Sequence, residues 1–210
     1  MKLTECDSVV VALHLQNEVL HPDGKIRFGF AEGAAGRDGV IKAARTVLDG
    51  ARRQGVPVVS VRIAFRPDFK DVIANCEIFR RVAASRAMAE GSWGAEFYDG
   101  LGPRPDEFVV HHTRINGFYG SSLEEALSHF RPRTLVMLGI ATNYVVEHTA
   151  RHACDMGYRV VVVRDACSAA TAEAHEASLR ALAVLADIRA ARQVARGFAT
   201  QTVGRRARLR

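Results

Sequence analysis

Five short runs of apolar, mostly β-branched residues recur along the chain: SVVVALHL (8–15), VPVVSVRI (56–63), EFVVHH (107–112), TLVMLGI (134–140) and RVVVVRDA (159–166). They are nearly continuous rather than alternating, which marks strands covered on both faces, as in a parallel sheet. Between them, apolar residues fall at helical spacing over 36–55, 121–130, 143–157 and 172–188. Gly55 and Gly157 stand where left-handed helix C-caps are expected. The alternation is that of βαβ units, so the pattern predicts an α/β fold, a doubly wound three-layer sandwich around a mostly parallel central sheet. A sixth strand is expected near DIRAARQV (187–194), and 65–105, which lacks a strand signal, reads as helix and loop capping one sheet edge.

Composition narrows the class. A chain of 210 residues, 48% hydrophobic, suits one domain, expected over 1–200 with a basic tail at 201–210. The net charge is +6, but Arg196, Arg205, Arg206, Arg208 and Arg210 lie in a stretch without acids, so the body is nearly neutral. No nucleic-acid reader motif accompanies that tail, and no nucleic-acid partner is expected. No apolar run approaches the roughly 18 residues that span a bilayer, and no leader pattern opens the chain, so a soluble, cytoplasmic protein with no membrane partner is expected. Cys6, Cys76, Cys154 and Cys167 are widely spaced without a CxxC pair, which fits reduced, buried and inert thiols better than disulfides or a zinc site.

Open parallel sheets bind ligands beyond the carboxyl ends of their strands. The segments there are 14–17, 62–65, 111–114 and 141–145, with Asp165.

Those strand ends carry a resemblance. VVALHLQNEVLHPDGK, EGSWGAEFYDGLGPRPDEFVVHHTRINGFYGSSLEEAL and LGIATNYVVEHTARHACDMGYRVVVVRDACSA resemble the first strand, central segment and nucleophile region of the isochorismatase-like cysteine hydrolases. That group includes nicotinamidases, carbamoylsarcosine and ureide amidohydrolases, and isochorismatases. The resemblance covers nearly the whole chain and implies the isochorismatase-like hydrolase fold.

It also implies a catalytic triad that this chain lacks. Where the family has an aspartate two residues before its Q-N pair, this sequence has His14. Where the family has a lysine six residues before a phenylalanine, it has His112. Where the family has the cysteine of a T-N-x-C-V-E-x-T turn, it has Val145. An isopropyl group cannot attack a carbonyl, and none of the four cysteines lies in the turn, so thioester chemistry is not expected.

The resemblance further implies that the backbone N–H groups of Ala141 and Val145 form an oxyanion hole beside an unusual cis peptide. Two imidazoles near such a turn can act as acid and base close to neutral pH. The leading expectation is a small-molecule enzyme that uses His14 and His112 as catalytic residues on a substrate with a carbonyl or carboxylate, by hydrolysis, hydration or elimination, or cyclisation. The alternative is a catalytically silent family member that binds a ligand or serves in assembly. Gln16, Phe65, Trp93, Arg114, Phe118 and Tyr144 are candidates for substrate binding. His148 and His152 share a helix face, but no acid of the H-E-x-x-H kind lies between them, and RIAFRPDF (62–69) lacks the Asp-x-His metal pattern of the nicotinamidases. No metal and no cofactor are expected. A homodimer or homotetramer is expected by resemblance.

Overall fold

The computed structural model describes residues 7–27, 29–30 and 34–198. Cys6 and the basic tail at 201–210 lie outside the described residues. The five apolar runs form strands β1 (Ser8–Leu13), β2 (Val58–Ile63), β3 (Phe108–His112), β4 (Thr134–Ile140) and β5 (Arg159–Ser168), and β6 (Asp187–Arg189) is the weak sixth. The sheet runs β3-β2-β1-β4-β5-β6 and every neighbouring pair is parallel. Position explains composition. Central β1 is buried at all six residues, whereas edge strand β3 exposes Val109 and His111.

Among the described residues the strands are connected and covered by α1 (Asn17–Leu20), α2 (Ala34–Arg53), α3 (Glu77–Ser85), α4 (Leu123–Ser128), α5 (Glu147–Asp155) and α6 (Ala172–Leu182), and 191–198 are helical as well. Gly55 and Gly157 have φ of 65° and 88°. Beyond them the N–H groups of Val56 and Tyr158 return to Ala51 and Ala153 at 2.9 and 3.0 Å, closing the helix ends. α6 starts on Thr171, whose hydroxyl accepts the Ala174 N–H at 3.1 Å.

Two boundaries differ from expectation. The helix expected over 172–188 stops at Leu182, because the N–H groups of Leu185 and Ala186 turn back to the Leu182 carbonyl before the chain enters β6. Val184 is then 83% exposed, so its hydrophobicity belongs to no helix face. The helix expected from 143 begins with a π-helical turn, Thr142–Val146, which runs into α5. Of the cysteines expected to be buried, Cys167 is, and burial pushes its thiol up to about 12; Cys76 and Cys154 are only half-buried. Among the described residues no helix is long and apolar enough to cross a membrane.

Strands β2 and β3 lie on one side of β1, and β5 and β6 on the other side of β4. The crossovers therefore leave the β1/β4 pair in opposite directions, and a crevice opens at the carboxyl ends of these two strands. Gly139 decides how closely they approach. It pairs with Leu13, has φ 143°, and a Cβ on it would strike the Leu13 carbonyl. That contact brings His14, the residue after β1, beside Ile140 and Ala141, whose peptide bond is cis.

Candidate active site

His14 leaves β1 with φ 55°, and His112 ends β3; the two rings cross the end of the sheet to meet. Their Nε2 atoms are 2.6 Å apart, with ring centroids at 4.9 Å and planes tilted by 33°. The rings are 7% and 1% exposed.

The surroundings fix one proton of the pair. His112 Nδ1 lies 3.1 Å from the Asn116 carbonyl, which only accepts, so that nitrogen carries hydrogen. In the neutral ring its Nε2 is then a lone pair, which can accept a hydrogen from His14 Nε2. Asn116 is itself held. Its Oδ1 accepts the Phe118 N–H at 2.8 Å, which turns its amide nitrogen toward His152 Nδ1 at 2.9 Å.

Burial depresses both imidazoles. Desolvation, then the neighbouring His112, hold His14 well below the usual histidine value, against a backbone hydrogen bond to Ile140 that favours the charged form. Desolvation pulls His112 down to about 4, against the Asn116 carbonyl. Both rings are neutral at pH 7.

Only one of the two reaches the pocket. An apolar, half-open pocket is lined by His14 together with Ile140, Ala141, Tyr144 and Val145 from the β4 end and turn. Ile78, Phe79 and Val82 of α3 form the opposite wall. His112 is not part of the lining and stands behind His14. Val145 is 1% exposed and presents its isopropyl group to the pocket.

The other sequence candidates divide. Arg114 and Tyr144 line the pocket. The Arg114 guanidinium lies 4.0 Å from the Phe79 ring centroid and donates to the Ile73 carbonyl and Asn75 Oδ1 at 3.2 and 3.0 Å, so it ties α3 to the loop after β3. Gln16 is fully buried as a clip: its amide nitrogen donates to the Ile63 and Ala95 carbonyls at 2.8 Å and its oxygen accepts the Ile63 N–H at 2.9 Å. Phe65 packs in the core against Phe69 and Phe79. Phe118 is buried against the His152 ring at 5.0 Å. Trp93 is 47% exposed and meets His21 edge-on at 4.9 Å. None of these four lines the pocket.

His152 is engaged by Asn116 and His148 is exposed. Among the described residues no group of three or more metal-ligating side chains comes together. The sequence reading missed Ile78, Phe79 and Val82, although their helical spacing inside the capping segment marks one apolar face. It also missed Asn116, for which no local signal exists.

An isochorismatase domain model matches residues 8–193. The chain belongs to the isochorismatase family. Among curated relatives, the uncharacterized isochorismatase family protein YecD of Escherichia coli O157:H7 is 29% identical over 179 residues, covering 85% of this chain and 89% of its own. The ureidoacrylate amidohydrolase RutB of Methylobacterium radiotolerans is 30% identical over 191 residues, covering 84% of this chain and 73% of its own. A cysteine hydrolase from Pseudomonas syringae superposes with a TM-score of 0.82 at 19% identity, over 96% of this chain and 99% of its own. These relatives are hydrolases where their activity is named, and the last shares the all-parallel α/β fold.

Proposed function

We propose that this family member is a small-molecule hydrolase that works without a cysteine nucleophile, by proton transfer at His14, with His112 as the residue that orients it. The observation that carries this reading is the 2.6 Å contact between the two Nε2 atoms, with His14 alone on the pocket wall and Val145 in the nucleophile turn. His112, anchored on Asn116, holds the His14 Nε2 hydrogen and leaves the ring's other nitrogen as the base. A water that attacks a substrate carbonyl gives its proton to that nitrogen, where the Ile140 backbone favours the charged ring. Burial makes the resulting imidazolium a strong acid, ready to protonate the leaving group. The developing oxyanion faces the backbone N–H groups of Ala141 and Val145, at the start of the helical segment that runs from Thr142 into α5. The amidohydrolases among the relatives support a carbonyl substrate, and the apolar walls support a small one.

One observation favours a second reading, a silent ligand-binding member: each imidazole already satisfies the other. Assays of the wild type, His14→Gln and His112→Gln against a panel of ureides, amides and enol ethers separate the two. Turnover that falls about 100-fold or more in His14→Gln is expected for an acid/base role. Equal rates in wild type and His14→Gln would sink the proposal, and saturable binding without turnover by any form would establish the silent reading.

A further inference from the structure

The pocket beside His14 adjoins a second hollow, and Ile26 lines both. The second hollow is a groove walled by Lys25, Arg27, Arg81 and Ser85, with Ala170 from the segment after β5. α3 lies along the boundary. Its Ile78, Phe79 and Val82 face the pocket, and its Arg81 and Ser85, one helical step around, face the groove. With Arg114 on the pocket wall, the two hollows are lined by four cationic side chains and by no carboxylate among the described residues.

The partners of these cations leave part of their charge uncompensated. Arg27 donates to the Pro22 carbonyl at 2.7 Å, a neutral group. Lys25 lies 3.4 Å from the Arg86 carbonyl and 3.9 Å from Glu18 Oε1. Arg81 pairs with Glu77 at 2.8 Å, but that carboxylate is shared with Arg80 at 3.2 Å, and both partners are well exposed, where ion pairs are weak and exchangeable.

The geometry points to an amphipathic anion as the ligand: an apolar body in the pocket beside His14 and a carboxylate or phosphate in the groove among Lys25, Arg27 and Arg81. This rests on the reading that the pocket beside His14 receives the substrate. The groove then selects by charge what the apolar pocket cannot, because an apolar wall separates homologous ligands only by the area they bury. It also draws the ligand in, since a cluster of like charges raises the local concentration of counter-ions.

Calorimetric titration of the full chain with three six-carbon probes tests this: hexanoate, hexyl phosphate and the neutral hexanamide. Expected is at least about ten-fold tighter binding of one or both anions than of the amide, with the advantage shrinking as salt rises. Whether hexanoate or hexyl phosphate leads assigns the anionic group. In Lys25→Gln/Arg81→Gln, and separately in Arg27→Gln, the advantage is expected to fall to about three-fold or less, while hexanamide affinity is unchanged. All three side chains are exposed; Lys25 also pairs with the buried Glu18, so Arg27→Gln tests the groove without removing that pair. Equal affinity for hexanamide and both anions overturns the proposal, as does an anion preference that survives removal of the groove cations. Binding needs no turnover, so His14→Gln with unchanged turnover would defeat the hydrolase reading and leave this anion preference standing.

Discussion

His112 stands behind His14 as seen from the pocket, with the two Nε2 atoms 2.6 Å apart, so the pair forms a line rather than two jaws around a ligand. The sequence placed both imidazoles at strand ends near the same turn, where they were expected to act together on one substrate. The line gives them unequal parts. His14 lines the pocket, and His112 is held by the Asn116 carbonyl at 3.1 Å, from where the proposed chemistry has it set which His14 nitrogen is free. His112 is therefore a positioning residue in the proposed chemistry, and His112→Gln is expected to move the pH profile of turnover as well as its height.

The same pair makes folding sensitive to acid. Unfolded histidines take up protons near pH 6.5, whereas burial holds folded His112 at about 4 and lowers His14 in the same direction. Across that window the unfolded chain binds more protons, so stability is full above about pH 6.5 and is lost as pH falls toward 4. For His112 the loss is on the order of 3 kcal/mol. Urea unfolding midpoints measured from pH 7.5 to 4.5 should fall less steeply in His112→Asn than in the wild type. Parallel pH dependences in the two proteins would refute the assignment.

Gly139 tests how the site is assembled. Alanine there combines an unfavourable φ of 143° with a Cβ driven into the Leu13 carbonyl. Gly139→Ala is expected to cost at least about 3 kcal/mol in urea unfolding, since neither β1 nor β4 can move without breaking their pairing. A loss below about 1 kcal/mol would mean that the two strands do not need this approach.

The turn should still activate a thiol. In Val145→Cys the new sulfur would face the pocket from the head of a helical segment, where the thiolate is favoured. Iodoacetamide at neutral pH is expected to label position 145 at least about ten-fold faster than Cys167, whose thiol burial pushes up to about 12. Peptide mass spectrometry reads the ratio. Adding His14→Asp and His112→Lys is expected to confer slow amide hydrolysis, which the single variant lacks. Labelling at position 145 no faster than at Cys167 would show that the turn no longer favours a thiolate.

Much of the fold was legible because strands covered on both faces must be apolar throughout, as β1 and β4 are, and because β2, β3 and β5 keep apolar runs although β3 and β5 expose some residues. The turn around Val145 and the positions of His14 and His112 were legible too, since each is fixed by its offset from a strand end. Partner choice was not. Gln16 sits where a substrate-binding amide would, yet it joins Ile63 and Ala95, which lie 47 and 79 residues away in the chain. Phe65 and Phe118 have the chemistry of a pocket wall and the location of core, and α3, read only as capping, supplies the wall. Local spacing dictates which face of an element a side chain leaves from. What it meets there depends on how distant segments pack, and only the tertiary structure could place one histidine at the pocket and the other behind it.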